Sequence, residues 1–298
     1  MSTMKPLILV HGGAGRLRYN GKRRAARQAA LNQIAQTGYE MLKHGNSALD
    51  TVVEVVRLLE DNPLFNAGYG AALGLTGEAE MDAAVMTDEG QFGAVAAIKN
   101  VKNPVLVARK VMEETDHILL VGEGATKFAR IMGFEEFDPI TDERRKMFSE
   151  QRVDYFRRNW ERFRPLYGGD TVGAIAIDCH GKVAVAASTG GIMFHLPGRV
   201  GDTPLIGCGI YASSLGACAA TGHGECIAIN MVSKTVVDML SETNPQTAAD
   251  KVINKLKLKN CNCGVIVVSR DGNYGVAYNT PYMGWTVMPK LCDSMVKD

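Results

Sequence analysis

The chain has 298 residues, of which 46% are hydrophobic and 22% charged, and its formal net charge is +1 at pH 7. This composition is that of an ordinary globular protein with a sizeable core, and it excludes the strongly basic surface typical of nucleic-acid binding or attachment to an anionic membrane. No apolar run approaches the roughly 18 residues of a membrane-spanning helix, and the first apolar stretch is too short for a signal peptide. We therefore expect a cytoplasmic protein without nucleic-acid or membrane partners.

The first half of the chain predicts alternating strands and helices. "LILV" (7–10) predicts a strand that ends in the glycine loop "HGGAG" (11–15), and helices are expected over 23–44 and 47–61, the second capped by Asn46. Turn-punctuated alternation in 65–86 and 93–98 predicts antiparallel strands. Further elements are a helix over 104–115, a short strand over 117–121 and a helix over 123–132.

Residues 142–164 differ from the rest of the chain because more than half of them are charged. A solvated helix is the plainest interpretation, and Pro165 with Gly168-Gly169 would end it. We therefore expect 142–168 to form a charged, mobile linker.

A strand-rich pattern follows this segment. "TVGAIAID" (171–178) and "KVAVAAST" (182–189) predict a hairpin, helices fit 224–241 and 246–257, and the strands "GVIVVS" (264–269) and "YGVAYN" (274–279) close the chain. The mixture favours antiparallel sheets covered by helices over a parallel β-α-β winding.

The seven cysteines all lie in this later part, at an odd count and without a C-x-x-C pair. "CNC" (261–263) heads an apolar run, where alternate residues of a strand share one face. Buried, reduced thiols are therefore favoured over a metal site, and a reducing compartment fits them.

Two glycine motifs suggest competing functions. "HGGAG" is similar to an oxyanion loop of α/β-hydrolases, which would need Ser188 as nucleophile with Asp202 and His223 following it. That nucleophile should sit on a strand-to-helix turn, and Pro197 disfavours the helix. A G-x-G-x-x-A match at 207–212 could indicate dinucleotide binding, but closely spaced glycines follow it instead of a helical pattern.

Hydroxyl residues and glycines cluster at four places, "GGDTVG" (168–173), "STGG" (188–191), "GRVGDTP" (198–204) and "ATGHGE" (220–225). Glycine at a strand end lets the backbone approach a small ligand closely. Arg199 offers a planar fork for a carboxylate, and Asp202 offers an acceptor for an ammonium group. Together they could clamp an amino acid, although each cluster alone could equally be a turn with a surface ion pair.

With these clusters the chain resembles the plant-type L-asparaginases and isoaspartyl aminopeptidases, a family of N-terminal-nucleophile hydrolases. The resemblance rests on "VHGGAG", "ALDTV", "FNAGYG", "EMDAAVM", "NPVLVARKVME", "DTVGAIAID", "STGG", "GRVGDTP" and "ATGHGE", in the family's order. It implies an α+β fold, a four-layer αββα sandwich of 1–298 as a single domain. It also implies self-cleavage between Asp170 and Thr171 into α (1–170) and β (171–298) subunits.

The resemblance further implies hydrolysis of L-asparagine or of an N-terminal β-aspartyl peptide bond. Thr171 would be the nucleophile, with its freed α-amine as base, since an α-amine has a reference pKa of roughly 7.7–8.0. By the same resemblance, Thr189 and Asn66 would assist catalysis, and Arg199 and Asp202 would bind the substrate's α-carboxylate and α-amine. The remaining residues that it assigns to the site, on the oxyanion side and against the substrate, are Thr221, Gly222 and Gly224.

No cofactor is expected, apart from a sodium ion at backbone carbonyls of Leu59–Phe65, which resemble the family's cation loop. A dimer of αβ heterodimers is also implied. Asp170 departs from the residue usual in this branch and instead fits glycosylasparaginase or the threonine aspartase. However, "HGGAG" counts against glycosylasparaginase, and Asp202 counts against the threonine aspartase. A Ser188 esterase and a non-catalytic amino-acid-binding module stay open as functions of other classes.

Overall fold

Runs of alanine, valine and isoleucine give the protein strands that are buried on both faces. The computed structural model describes residues 4–15, 21–158 and 171–290. The strands of this part are β1 (Leu7–Gly15), β2 (Met81–Thr87), β3 (Phe92–Ile98), β4 (Leu119–Val121), β5 (Val172–Ile177), β6 (Val183–Thr189), β7 (Ile210–Ser213), β8 (Gly216–Gly222), β9 (Cys263–Ser269), β10 (Tyr274–Tyr278) and β11 (Tyr282–Met288).

Helices cover both sheets. They are α1 (Gly21–Lys43), α2 (Ala48–Glu60), α3 (Pro104–Glu114), α4 (Gly122–Ile131), α5 (Asp142–Arg158), α6 (Gly224–Ile229), α7 (Val232–Asp238) and α8 (Pro245–Leu258), with a short 3₁₀ turn at Met239–Ser241. No helix in the described part of the chain is both long and apolar enough to cross a membrane.

The strands form two sheets that pack face to face. Sheet A has the order β11-β1-β5-β6-β2-β3-β4, and sheet B has the order β10-β9-β8-β7. Leu9, Ile175 and Ile266 belong to the core between the sheets. A second core joins sheet A to α1–α4, and a third joins sheet B to α7 and α8. The predicted αββα sandwich is confirmed, since each sheet has one face on the other sheet and one on helices.

The start of α2 corrects the predicted cap. Ser47, not Asn46, is the N-cap residue, because its hydroxyl accepts a hydrogen bond from the amide of Asp50 at 3.0 Å. The buried valines of this helix then lie against β5 and β6, which carry the residues of the candidate site.

The predicted glycine loop after 7–10 is part of a strand. β1 runs through "HGGAG", and its pairing with β11 shifts register between His11 and Ala14. Gly13 has a φ of 104°, which a glycine adopts without strain. The carbonyl of Gly12 accepts a hydrogen bond from Arg27 Nη2 at 2.6 Å, so the segment forms a bulge held to α1.

The C-terminal part differs most from the prediction. The helix expected over 224–241 is divided into α6 and α7, because Met231 has a left-handed backbone with a φ of 46°. Strands β7, β8 and β11 were not predicted at all. β11 extends sheet A by pairing with β1, so the chain does not end on β10.

The expectation of reduced cysteines is wrong for one pair. Cys226 and Cys261 form a disulfide with a Cα–Cα distance of 5.9 Å, although 35 residues separate them. Pairing of β8 with β9, which sets Gly222 opposite Cys263, brings the two cysteines together. Cys208, Cys218 and Cys263 are free and buried, as predicted.

The charged segment begins on the body of the protein. In α5, Arg144 Nε donates to the carbonyl of Gly70 at 2.8 Å, and the ring of Phe148 lies 5.4 Å from that of Phe194. Residues 159–170 lie outside the described part, and the linker over 142–168 stays a prediction.

Candidate active site

Strand register brings the predicted nucleophile to one end of sheet A. Val172 pairs with Ser188, so Thr171, one residue earlier, comes opposite Thr189. Thr189 pairs on its other side with Asp82 of β2. Three adjacent strands therefore place Thr171, Thr189 and Asp82 in a row, and all three are buried.

The main chain of Thr171 is contacted from both sheets. Thr221 of β8 donates its hydroxyl to the Thr171 carbonyl at 3.4 Å. The buried ring of His11 lies on β1, with Nε2 at 2.4 Å from the position that a Cβ on Gly173 would take. Burial lowers the pKa of His11 to about 3, although a hydrogen bond with the Thr171 backbone acts to raise it. The imidazole beside the nucleophile is therefore neutral.

Asn66 holds the turn that follows Thr189. Its Nδ2 donates to the carbonyl of Gly191 at 2.7 Å, and its Oδ1 accepts from the amide of Ala72 at 2.7 Å. The hydroxyl of Thr189 accepts from the amide of Gly191 at 3.1 Å, which leaves its own proton free to be donated. These contacts favour a scaffold role for Asn66.

Arg199 and Asp202 converge on Gly224. The position that a Cβ would take on Gly224 lies 2.9 Å from Arg199 Nη2 and 2.8 Å from Asp202 Oδ1. The absence of a side chain at Gly224 thus leaves space between a guanidinium and a carboxylate. Gly222 has a φ of 136°, and a Cβ at this position would lie only 2.4 Å from the carbonyl oxygen of Asn262. A glycine here therefore lets β8 approach that carbonyl.

The carboxylate of Asp202 is suited to a cationic ligand. Its Oδ2 is buried without a hydrogen-bond partner among the described residues. Burial raises the pKa of Asp202 to about 7, against the opposing charge of Arg199. A buried acceptor of this kind gains a partner when an ammonium group enters.

Two acidic residues missed by the sequence reasoning fasten the Arg199 loop. Glu80 Oε2 accepts from the amide of Gly198 at 2.8 Å. Asp82 accepts from the amides of Gly201 at 3.2 Å and Ala97 at 2.8 Å, and burial raises the pKa of Asp82 to about 6. The motif "EMDAAVM" contained both residues, but its spacing alone gave no indication of their partners.

The competing glycine motifs lack the required elements. Ser188 is fully buried and lies on the opposite face of β6 from Thr189, and irregular chain rather than a helix follows it. The match at 207–212 runs into strand β7 instead of a helix. The geometry therefore supports neither the serine hydrolase nor dinucleotide binding.

Backbone oxygens, not side chains, could hold a cation. No group of three or more histidine, cysteine or acidic side chains within the described ranges could bind a metal. In the predicted cation loop, the carbonyls of Leu59 and Asn62 accept backbone hydrogen bonds. Those of Pro63 and Phe65 lie 3.1 and 2.7 Å from the position that a Cβ on Gly70 would take, so both pack closely against the Gly70 backbone.

Comparisons with known proteins agree with this geometry. The family described as Asparaginase matches residues 4–295. A plant-type L-asparaginase of Pyrococcus furiosus is 45% identical over 296 residues, covering 94% of this chain and 95% of the relative. An isoaspartyl peptidase/L-asparaginase of Xenopus laevis is 40% identical over 292 residues, covering 96% of this chain and 93% of the relative.

The relatives include a mouse isoaspartyl peptidase/L-asparaginase, 37% identical over 308 residues, which covers 98% of this chain and 93% of that protein. The similarity thus extends over the four layers and not over one motif. The chain belongs to the asparaginase family of N-terminal-nucleophile hydrolases.

Proposed function

We propose that the protein is a self-processing amidohydrolase, which hydrolyses L-asparagine to L-aspartate and ammonia and removes N-terminal β-aspartyl residues from peptides. The observation that carries the proposal is the convergence of Arg199 and Asp202 on Gly224, three residues after Thr221, which contacts Thr171. Relatives named as asparaginases and isoaspartyl peptidases support it.

Self-processing would expose the nucleophile. The Thr171 hydroxyl attacks the carbonyl carbon of Asp170, the peptide C–N bond breaks, and the Thr171 nitrogen leaves as a free amine after protonation. Water hydrolyses the resulting ester and releases residues 1–170 from 171–298. Asp170 lies outside the described residues, so this step rests on the position of Thr171 at the head of β5.

The matured threonine would then act on the substrate amide. Its free amine, with a reference pKa of roughly 7.7–8.0, takes the hydroxyl proton as Oγ attacks the side-chain carbonyl carbon. Thr189 donates a hydrogen bond to Oγ, and Thr221 with Gly222 lines the side where the oxyanion develops. Ammonia or a peptide amine leaves with a proton, and water then hydrolyses the acyl-threonine ester.

Recognition of the substrate would depend on its two backbone charges. The Arg199 guanidinium pairs with the α-carboxylate, and the buried Asp202 carboxylate accepts from the α-ammonium. Gly224 contributes a backbone contact between them. A substrate with a free ammonium group at this position is either a free amino acid or the first residue of a peptide.

The decisive experiment is a gel of aged, purified protein with sequencing of each fragment. We expect two fragments, one of which begins at Thr171, and release of ammonia from asparagine. Thr171→Ala should stay intact and inactive. Wild-type protein that remains a single chain yet hydrolyses asparagine would overturn the proposed nucleophile. An intact chain that binds aspartate without turnover would instead support an amino-acid-binding module.

Asp170 makes a glycosylasparaginase-like activity the second candidate. Parallel assays with asparagine, a β-aspartyl dipeptide and a glycosylated asparagine distinguish it. Preferred turnover of the glycosylated substrate would replace the asparaginase assignment.

The assembly and the cation are also proposals. Two αβ heterodimers would pair, which light scattering of the cleaved protein tests directly. A monovalent cation would be held by backbone carbonyls of Leu59–Phe65, where it would rigidify the chain before Asn66. Replacing sodium by a bulky organic cation should then lower the melting temperature more than a change in ionic strength does.

A further inference from the structure

Arg199 has a second partner that the sequence reasoning did not assign. Its Nε donates to Oε1 of Glu225 at 2.8 Å. Nη2 lies 2.9 Å from the position of a Cβ on Gly224, and Nη1 lies 3.0 Å from the position of a Cβ on Gly201. Glu225 therefore occupies the Nε edge of the guanidinium, while both Nη atoms lie beside glycines. The Nη1–Nη2 edge is the one that can receive a carboxylate as a bidentate pair.

Glu225 is held in place independently of Arg199. It stands in the first turn of α6, and the amide of His223, two residues earlier, donates to the carbonyl of Asn262 at 2.9 Å. The following residue, Cys226, is bonded to Cys261. A backbone hydrogen bond before Glu225 and a disulfide after it thus attach this segment to the chain before β9.

The carboxylate of Glu225 is ionised in this environment. Burial alone would raise the pKa of Glu225, but the hydrogen bond and charge of Arg199 outweigh burial and lower it. Oε2 faces His223 Nε2 at 3.5 Å. The side chain is 44% exposed, so solvent screens the charge, and orientation of the guanidinium is the more important consequence.

We propose that Glu225 is a positioning residue for substrate recognition, which fixes the Arg199 guanidinium with its Nη1–Nη2 edge toward the α-carboxylate of the substrate. The inference rests on the proposed function, since it refines the same binding site. Without Glu225, the guanidinium can rotate about its terminal torsions, and part of the binding energy is spent on ordering it. The nucleophile does not contact Glu225, so chemistry and self-cleavage should be spared.

The test compares Glu225→Gln with Glu123→Gln. Glu123 is a matched control because it also stands in the first turn of a helix, α4, and pairs with an exposed basic residue, Lys127. We expect Glu225→Gln to raise KM for asparagine about tenfold or more, with kcat and self-cleavage close to wild type, since hydrogen bonds to charged groups are worth that factor. Glu123→Gln should leave all three unchanged.

Calorimetry separates a positioning role from a structural one. L-Aspartate carries the α-carboxylate and 3-aminopropanamide lacks it, so Glu225→Gln should weaken binding of the first and not of the second. In an Arg199→Ala background, Glu225→Gln should add no further loss, because the two residues act as one unit.

Each outcome has one meaning. Equal weakening of both ligands, or an additive loss in the double variant, would overturn the positioning role. A lower KM in Glu225→Gln would also overturn it and would make Glu225 a competitor of the substrate carboxylate. If wild-type protein neither cleaves itself nor releases ammonia, the proposed function fails, whereas binding of L-aspartate would still report on Glu225.

Discussion

Thr221 of sheet B donates its hydroxyl to the carbonyl oxygen of Thr171 at the head of β5 in sheet A, at 3.4 Å. The contact joins the two sheets at the residue proposed as nucleophile. It ties the position of the Thr171 backbone to the packing between the sheets, and not only to the register of sheet A.

Replacing Thr221 by valine keeps the shape of the side chain and removes its hydroxyl. We expect kcat for asparagine to fall by about 10²-fold, the range seen when one preorganised donor is lost beside a reacting carbonyl. Self-cleavage, followed on gels, should also slow. Thr221→Ser retains the hydroxyl and should recover most of both rates. Normal processing and turnover in Thr221→Val would remove Thr221 from the site.

The raised pKa of Asp202 predicts a pH dependence of binding. Its carboxyl is protonated below a pKa of about 7 and cannot pair with an ammonium group, so the affinity for L-aspartate should rise as the pH increases from 6 to 8. Binding is the proper measurement because the Thr171 amine titrates in the same range and would confuse a rate profile. Asp202→Asn should bind weakly at every pH; an unchanged profile in this variant would contradict the assignment.

The burial that raises the pKa of Asp202 also lowers the stability of the folded protein. Its folded pKa lies above the ordinary value, so the folded state holds a proton that the unfolded state has lost, and stability falls as the pH rises from about 4 to 7. At pH 8, Asp202→Asn should therefore raise the free energy of unfolding by about 0.5–2 kcal/mol, a gain of the kind found when a binding residue is removed. Denaturant titrations at pH 5 and pH 8 test this, since the gain should shrink at pH 5.

Gly224→Ala should block the substrate site without disturbing the nucleophile. The added methyl group would lie 2.9 Å from Arg199 Nη2 and 2.8 Å from Asp202 Oδ1, in the space assigned to the substrate. We expect KM to rise at least about tenfold, the equivalent of one lost charge-assisted hydrogen bond, with self-cleavage retained. Gly124→Ala is the matched control, because that glycine also stands in the first turn of a helix and has no atom within 4 Å of its Cβ position. Equal effects of the two variants would show that the site lies elsewhere.

The Cys226–Cys261 disulfide should stabilise the chain segment that carries Glu225. For two cysteines 35 residues apart, chain-entropy reasoning gives about 3–4 kcal/mol. The double serine variant should lose about that much stability in chemical denaturation, and its KM should rise more than its kcat falls. Cys179→Ser, which removes a free thiol, is the control. If alkylation under non-reducing conditions labels Cys226, the bond is not formed in solution.

The layered fold could be predicted because it depends on local pattern, whereas the roles of the candidate site residues came from the family resemblance and stay predictions. Alternating apolar runs marked β5 and β6, and the family motifs placed Thr171, Thr189, Arg199 and Asp202 within short, distinctive stretches. The convergence of the Arg199 and Asp202 side chains could be predicted because an amino-acid ligand carries both a carboxylate and an ammonium group.

Long-range partners could not be predicted in the same way. Glu225 is the last residue of the motif "ATGHGE", yet its contact with Arg199 depends on how α6 meets the loop after β6. The disulfide depends on β8, a strand of small residues and glycines that has no strong strand propensity. β11 was missed because glycine and tryptophan interrupt its alternation, and only pairing with β1 makes it a strand.

The strand order of sheet A gives the proposed cleavage a consequence for folding. β1 comes from the segment before Thr171, yet it lies between β11 and β5, which both come after it. Once cut, the two polypeptides would remain interleaved and could part only by breaking the sheet. Folding of the precursor is a first-order process, whereas reassembly of the cut chains would be second order and dependent on concentration. A mature molecule that unfolds would therefore have lost the single-chain route by which it first formed.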